Sequence, residues 1–168
     1  PEAVDRLGLG ADELLAANPR LVYASVTGYG RDGPDADRAG YDVGAFWART
    51  GIARTMVPED EAPIDIRAGM GDHVTGLTIL SGILAALLQR ERTGTGQLVE
   101  TSLLRTGIYC VGWDLGIRLR FGKLAPTQPR TSIMNPMVNC YRAADGAWFW
   151  LLGVESDRLW PKLIAALE

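Results

Sequence analysis

At 168 residues, with 47% hydrophobic and 22% charged side chains, the chain carries enough apolar material for a packed core and is not the composition of a disordered segment. A net charge of −3 and the lack of any basic stripe exclude a nucleic-acid footprint. No uninterrupted apolar run reaches spanning length and the first residues show no leader pattern, so the reading is of a cytoplasmic protein without a membrane segment.

The two cysteines, Cys110 and Cys140, lie far apart and suit buried free thiols better than a disulfide framework. With His73 the single histidine, no His/Cys metal centre is expected. A Ser-His-Asp or Cys-His mechanism would have to use that same residue, next to Asp72 rather than opposite a nucleophile.

In chain order, Ala11 to Ala17 reads as a short helix stopped by Asn18-Pro19, and Leu21 to Val26 as a buried parallel strand. Gly28-Tyr29-Gly30-Arg31-Asp32-Gly33 is formally a G-x-G-x-x-G. A dinucleotide fingerprint needs a helix to open inside the motif, whereas Pro34, Asp35, Asp37, Arg38 and Gly40 keep the chain in a polar loop. A loop at the carboxyl end of a strand, where open α/β sheets bind ligands, is the better reading. Tyr41 to Thr50 reads as a helix carrying Phe46 and Trp47, with Asp42 at its start, where a plain cap is one reading. Ala53 to Arg67, broken by Pro58 and Pro63, reads as a polar loop whose length suits a lid or binding loop and equally a plain surface excursion.

The stretch from Gly69 to Gly96 is the most informative. Leu77, Leu80, Ile83, Leu84, Leu87 and Leu88 recur at helical spacing, and Gly82, Ala85 and Ala86 offer a small face for close packing. Gly94 and Gly96 end the helix. At its start, Asp72 follows Gly69 and Gly71 and reads two ways. It is either an N-cap or a carboxylate set among free N–H groups, with glycines that let a ligand come close.

Gln97 to Ser102 then alternates like a strand, Leu103 to Arg120 reads as one helix, and residues 121–131 as a linker. Val138 to Arg142 and Trp148 to Leu152 form a predicted hairpin about Ala144-Asp145-Gly146, and Ser156 or Asp157 caps a helix from about Arg158. The predicted organisation is an α/β portion over 1–120 and the start of a second domain over 132–168. The opening without a strand and the close inside the run Leu159, Leu163, Leu167 suggest a segment of a longer protein.

Taken together, NPRLVYASVTGYGRDGP, RAGYD, GDHVTG and ILSGILAALLQRERTGTGQLVETSLL resemble the family III CoA-transferases, the formyl-CoA and carnitine CoA-transferase (CaiB/BaiF-like) family. NPMVNCYRAADGAWFWLL resembles the opening of that family's smaller domain. The resemblance implies part of a Rossmann-like large domain, the start of a smaller α/β domain, and an interlocked homodimer for the full-length protein. It makes Asp72 the nucleophile, coenzyme A and acyl-CoA the substrates with a carboxylic acid as acceptor, and no tightly bound cofactor.

CoA exchange between acids without hydrolysis needs a carboxylate that attacks a thioester and forms a mixed anhydride, then an aspartyl-CoA thioester. The helix N–H groups face the developing oxyanions, the flanking Gly69 and Gly71 leave space, and water has to be kept out. The Arg31–Arg38 and Ala53–Arg67 loops are candidate covers. Asp42 and Tyr41 read as auxiliary groups, and Arg38 and His73 as candidate CoA contacts. For Arg38, a solvated loop arginine is the equal alternative.

The rival in the superfamily is an α-methylacyl-CoA racemase, which needs an acid/base pair across the α-carbon. In that branch a histidine precedes the aspartate where this chain has Tyr41-Asp42, and tyrosine is a poor base near neutral pH. A third reading is a truncated non-catalytic paralogue that serves as an interaction module. Trp47, Met56, Met70 and Met134 read either as acyl-pocket lining or as ordinary core.

Overall fold

A computed structural model of the chain describes residues 2–167, with side chains over 4–167. It divides into two compact units, residues 1–56 with 62–125, and residues 126–168 with 57–61.

The first unit contains α1 (Glu2–Arg6), α2 (Ala11–Ala17), β1 (Val22–Thr27), a π-helix (Asp42–Ala48), α3 (Ile52–Thr55), α4 (Met70–Thr93), β2 (Gln97–Ser102), α5 (Leu103–Cys110) and α6 (Gly112–Phe121). β1 and β2 pair in parallel, from Val22 opposite Gln97 to Thr27 opposite Ser102. Parallel neighbours need a long crossover, and α4 is that crossover, packed on both strands.

Small residues let α4 approach the sheet. A Cβ at Gly82 would stand 2.6 Å from Val99 Cγ1 and Ala86 is fully buried, whereas Ala85, expected on the same small face, is exposed. The leucines face the other way: Leu77, Leu80, Leu84 and Leu88 are all exposed. The helix ends at Gly94, whose left-handed backbone lets its N–H reach Arg90 O at 2.8 Å.

The expectation that no apolar run reaches spanning length is corrected here. Among the described residues, Met70–Thr93 is one helix that is long and apolar enough to cross a membrane by length and composition. The charge-free sequence from Val74 to Leu88 lies between Asp72 and Arg90, which sit close to the helix ends.

Three further departures have local causes. The predicted Tyr41–Thr50 helix winds as a π-helix over Asp42–Ala48, with Ala45, Phe46 and Trp47 buried. Ala53–Arg67 is not loop throughout: α3 occupies its start, and Ala53 and Ile66 are in the core with Ala45, Phe46, Trp47, Ile52 and Leu103. Trp47 Nε1–H donates to Ile64 O at 2.8 Å and holds the loop to that core.

The predicted Leu103–Arg120 helix breaks at Val111 (φ −97°, ψ 18°), which packs on the core ahead of Gly112. Val and Gly are both weak helix formers, so tertiary packing decides there. Cys110 and Cys140 are free, but against the expected burial Cys110 is exposed and Cys140 half-buried.

The second unit holds a 3₁₀ turn (Arg130–Ser132), the hairpin β3 (Val138–Arg142) and β4 (Trp148–Leu152), and α7 (Ser156–Leu167), which starts two residues before the predicted Arg158. The hairpin is antiparallel, with Val138 opposite Leu152 and Arg142 opposite Trp148. Its turn closes through Ala143 N–H to Ala147 O at 2.8 Å. Buried Asn139 ties the hairpin to the 3₁₀ turn by donating to Arg130 O at 2.8 Å.

Candidate active site at the start of helix α4

β1 ends at Thr27, and the chain leaves the sheet through Gly28. There two backbones cross: a Cβ on Gly28 would stand 2.7 Å from Gly40 Cα. The G-x-G-x-x-G residues form bends, followed by turns from Pro34, with no helix inside the motif, so a dinucleotide fingerprint is absent. Thr27 Oγ1 accepts from Gly30 N–H at 2.9 Å and fixes the loop's departure.

Beside this crossing is the first turn of α4. Gly69 is its N-cap, with φ +78°, a backbone conformation that favours glycine. Met70, Gly71 and Asp72 are therefore the first three helical positions. Asp72 is thus not the N-cap, and the helix has no side-chain cap hydrogen bond from Gly69. Its carboxylate is exposed and lines a cleft of about 250 Å³ with Val26, Thr27, Gly28, Gly40, Thr75, Gly76 and Leu103. First-turn N–H groups have no intrahelical partner; Gly69 donates to Asp42 and Met70 to Arg67 O at 3.1 Å, so Asp72 shares the positive end of α4 with its own N–H and that of Gly71.

The other predicted residues fall into distinct places. Asp42 is buried (8% exposed); Oδ2 accepts from Gly69 N–H at 2.7 Å and Oδ1 from Val43 N–H at 2.8 Å. His73 is exposed, with Nδ1 2.6 Å from Gly69 O. Tyr41 is exposed at the N-cap of the π-helix. Arg38 is exposed and shares Asp35 with Arg49, at 3.4 and 2.9 Å. Neither Tyr41 nor Arg38 lines the cleft.

Gly71 packs against the π-helix. A Cβ there would stand 2.6 Å from Phe46 Cγ, so the space it vacates belongs to Phe46. Trp47 is core, Met56 and Met70 are exposed without lining the cleft, and Met134 belongs to a separate cleft of about 480 Å³ in the second unit, with Met137, Ser156 and Trp160.

Thr75 is the cleft residue that motif reading passed over. It is 1% exposed, and its Oγ1 has no hydrogen-bond partner. Thr78, Ser81 and Thr93 of the same helix all donate to the carbonyl four residues back. The available signal was spacing, because Thr75 stands one turn from Asp72 on the same face. Among the described residues, no group of three or more His, Cys, Asp or Glu side chains is arranged to hold a metal ion.

A carboxylate on the first turn of a crossover helix, beside the carboxyl end of a parallel strand, defines an α/β protein with its candidate site where such sheets bind ligands. The sequence matches CoA-transferase family III over residues 1–168, and the chain belongs to that family. It is 31% identical over 157 residues to (R)-2-hydroxy-4-methylpentanoate CoA-transferase of Clostridioides difficile, covering 94% of this chain and 39% of that protein. It is 47% identical over 103 residues to formyl-CoA:oxalate CoA-transferase of Streptomyces avermitilis, covering 61% and 25%. The crystal structure of a CaiB/BaiF family protein from Brucella suis superposes with a TM-score of 0.77 at 30% identity, covering 90% of this chain and 39% of that one. The chain thus spans about two fifths of the relatives it matches along most of its own length.

Proposed function

We propose that this chain supplies the nucleophile of a CoA-transferase that moves CoA from an acyl-CoA to a carboxylic acid. The observation that carries the reading is the exposed Asp72 carboxylate in the cleft at the start of α4.

The chemistry balances on that group. An Asp72 oxygen attacks the thioester carbonyl carbon, the C–S bond breaks, and CoA thiolate leaves a mixed anhydride. The thiolate attacks the aspartyl carbonyl of the anhydride, the donor acid departs as carboxylate, and an aspartyl-CoA thioester remains. The acceptor carboxylate attacks this thioester and releases the thiolate. Thiolate attack on the new acyl group then yields the product acyl-CoA and restores Asp72. Each attack creates an oxyanion, and free N–H groups of the first turn supply donors without reorganisation.

Asp42 weighs against the racemase alternative. Both its oxygens already accept backbone N–H groups, which suits a fixed acceptor rather than a proton-exchanging base at a substrate carbon. The relatives named above differ in the acids they handle, so the proposal stops at an acyl-CoA donor and a carboxylate acceptor. For the whole protein we propose a cytoplasmic homodimer, which sedimentation of the full-length product tests.

The test of activity is transfer of labelled CoA from a panel of acyl-CoAs to a panel of acids by the full-length protein. Transfer by the parent that is abolished in Asp72→Ala supports the proposal. Solvent deuterium entering the α-carbon without transfer would move the assignment to racemisation. Activity unchanged by Asp72→Ala would refute the nucleophile and favour a non-catalytic role for this segment.

A further inference from the structure

In a capping box, the side chain at the third helical position reaches back and accepts the N–H of the N-cap residue. In α4 the N-cap is Gly69 and the third position is Asp72. An aspartate so placed has the acceptor that would close the box, and in doing so would withdraw its carboxylate from the cleft. That N–H is already taken: Gly69 donates at 2.7 Å to Asp42 Oδ2, from a residue 27 positions earlier in the chain.

Asp42 is built for this contact. It is 8% exposed, opens the π-helix, and has its second oxygen held by Val43 N–H. The far side of the same residue is also fixed, since Gly69 O accepts from His73 N–H at 2.9 Å and lies 2.6 Å from His73 Nδ1. A carbonyl oxygen only accepts, so that contact keeps the ring proton on Nδ1. Phe46, four residues after Asp42, fills the space beside Gly71 and seats the same π-helix against the same turn.

We propose that Asp42 is a positioning residue that caps α4 from another element, and that by occupying the Gly69 N–H it frees the Asp72 carboxylate for chemistry. Asp42 exchanges no proton with substrate. This role rests on the transferase reading for its effect on rate, but the competition for the Gly69 N–H stands without it.

The experiment uses the full-length protein and two readouts. The first is the rate of CoA adduct formation on Asp72 in the parent, Asp42→Asn and Asp42→Ala, with an acyl-CoA donor. Asn keeps one oxygen for Gly69 N–H but sets its NH2 against Val43 N–H in place of the second acceptor, so its rate is expected to fall below the parent's by about fivefold at most and to stay above that of Asp42→Ala. Ala lets Asp72 fold back, and misplacement on the ångström scale slows the reaction by about 10- to 100-fold. The second readout is hydrogen exchange at the Gly69 N–H, followed by mass spectrometry. Gly69 is expected to stay protected in Asp42→Ala, where Asp72 takes over, and to exchange fast in Asp42→Ala/Asp72→Ala.

An Asp42→Ala rate equal to the parent's would overturn the proposal. So would an Asp42→Asn loss as deep as that of Asp72→Ala, which would make Asp42 an acid or base. Fast Gly69 exchange in Asp42→Ala alone would show that Asp72 does not compete for the N–H, and would also overturn it. If the parent forms no adduct, the transferase reading fails while the exchange pattern still decides the cap. If Asp42→Ala does not fold, the Asn variant carries the decision.

Discussion

Substituting Gly71→Ala tests the packing that seats the first turn of α4. The new methyl would stand 2.6, 2.7 and 2.9 Å from Phe46 Cγ, Cβ and Cδ1. Carbon atoms rest at about 3.5–4.0 Å, so relief takes a shift of about 1 Å. Phe46 is 4% exposed and enclosed by Trp47, Ile52 and Leu103, so it has little room to yield. Overpacking of this kind costs about 1–3 kcal/mol. Replacing a helical glycine with alanine returns at most about 1 kcal/mol, and less in the first turn. The net expectation is a loss of about 1–2 kcal/mol, together with a rate loss of about 100-fold if the turn bearing Asp72 is what moves.

The assay is urea unfolding of the full-length protein at unchanged slope, paired with CoA-transfer kinetics. Gly116→Ala in α6 is the control. Nothing lies within 4 Å of its new methyl, and it is expected to be neutral or to stabilise by up to about 1 kcal/mol. A Gly71→Ala protein as stable and as active as its parent would refute the packing account, whatever the control does.

Other substitutions probe separate links. Ser102→Ala removes the hydroxyl that accepts Arg105 N–H at the start of α5, so a loss of about 1 kcal/mol is expected from chemical unfolding. Thr75→Val replaces a buried hydroxyl without a partner by a methyl of similar size. Stability of the ligand-free protein should hold or rise by about 1 kcal/mol, and a loss beyond that would mean the hydroxyl has a partner. Gly96→Ala puts a methyl 1.9 Å from Leu21 O, where the incoming edge of β2 meets β1. Loss of soluble, cooperatively folding protein is expected, and normal folding would count against the strand register given above.

Sequence carried the site further than it carried the walls of the site. Glycine at 69 and 94 marked both ends of α4 because left-handed caps leave a composition signal. The β1 run was legible as a parallel strand by its length and apolar content, and β2 as a strand by its alternation, but the burial expected of β1 is not found: none of Val22–Thr27 is buried and Val26 is exposed. The winding of the π-helix was not legible, since a period near 3.6 and a wider turn fill one short segment equally well. Its consequence, Asp42 reaching Gly69, joins residues 27 apart and leaves no local pattern. The break at Val111 follows from tertiary packing, and the outward leucines of α4 show that spacing reveals a stripe without saying which way it faces. Asp72 was visible as a carboxylate near a helix start, but the capping and nucleophile readings separate only when Gly69 is seen to be the cap.

The central claim is that Asp72 attacks the thioester. The most direct measurement is the mass of the Asp72-bearing peptide after the full-length protein is mixed with an acyl-CoA and quenched. A CoA-derived adduct on Asp72, absent from Asp72→Ala, is the expected result. CoA transfer between acids at full rate with no label on Asp72, or with the label on another residue, would contradict it.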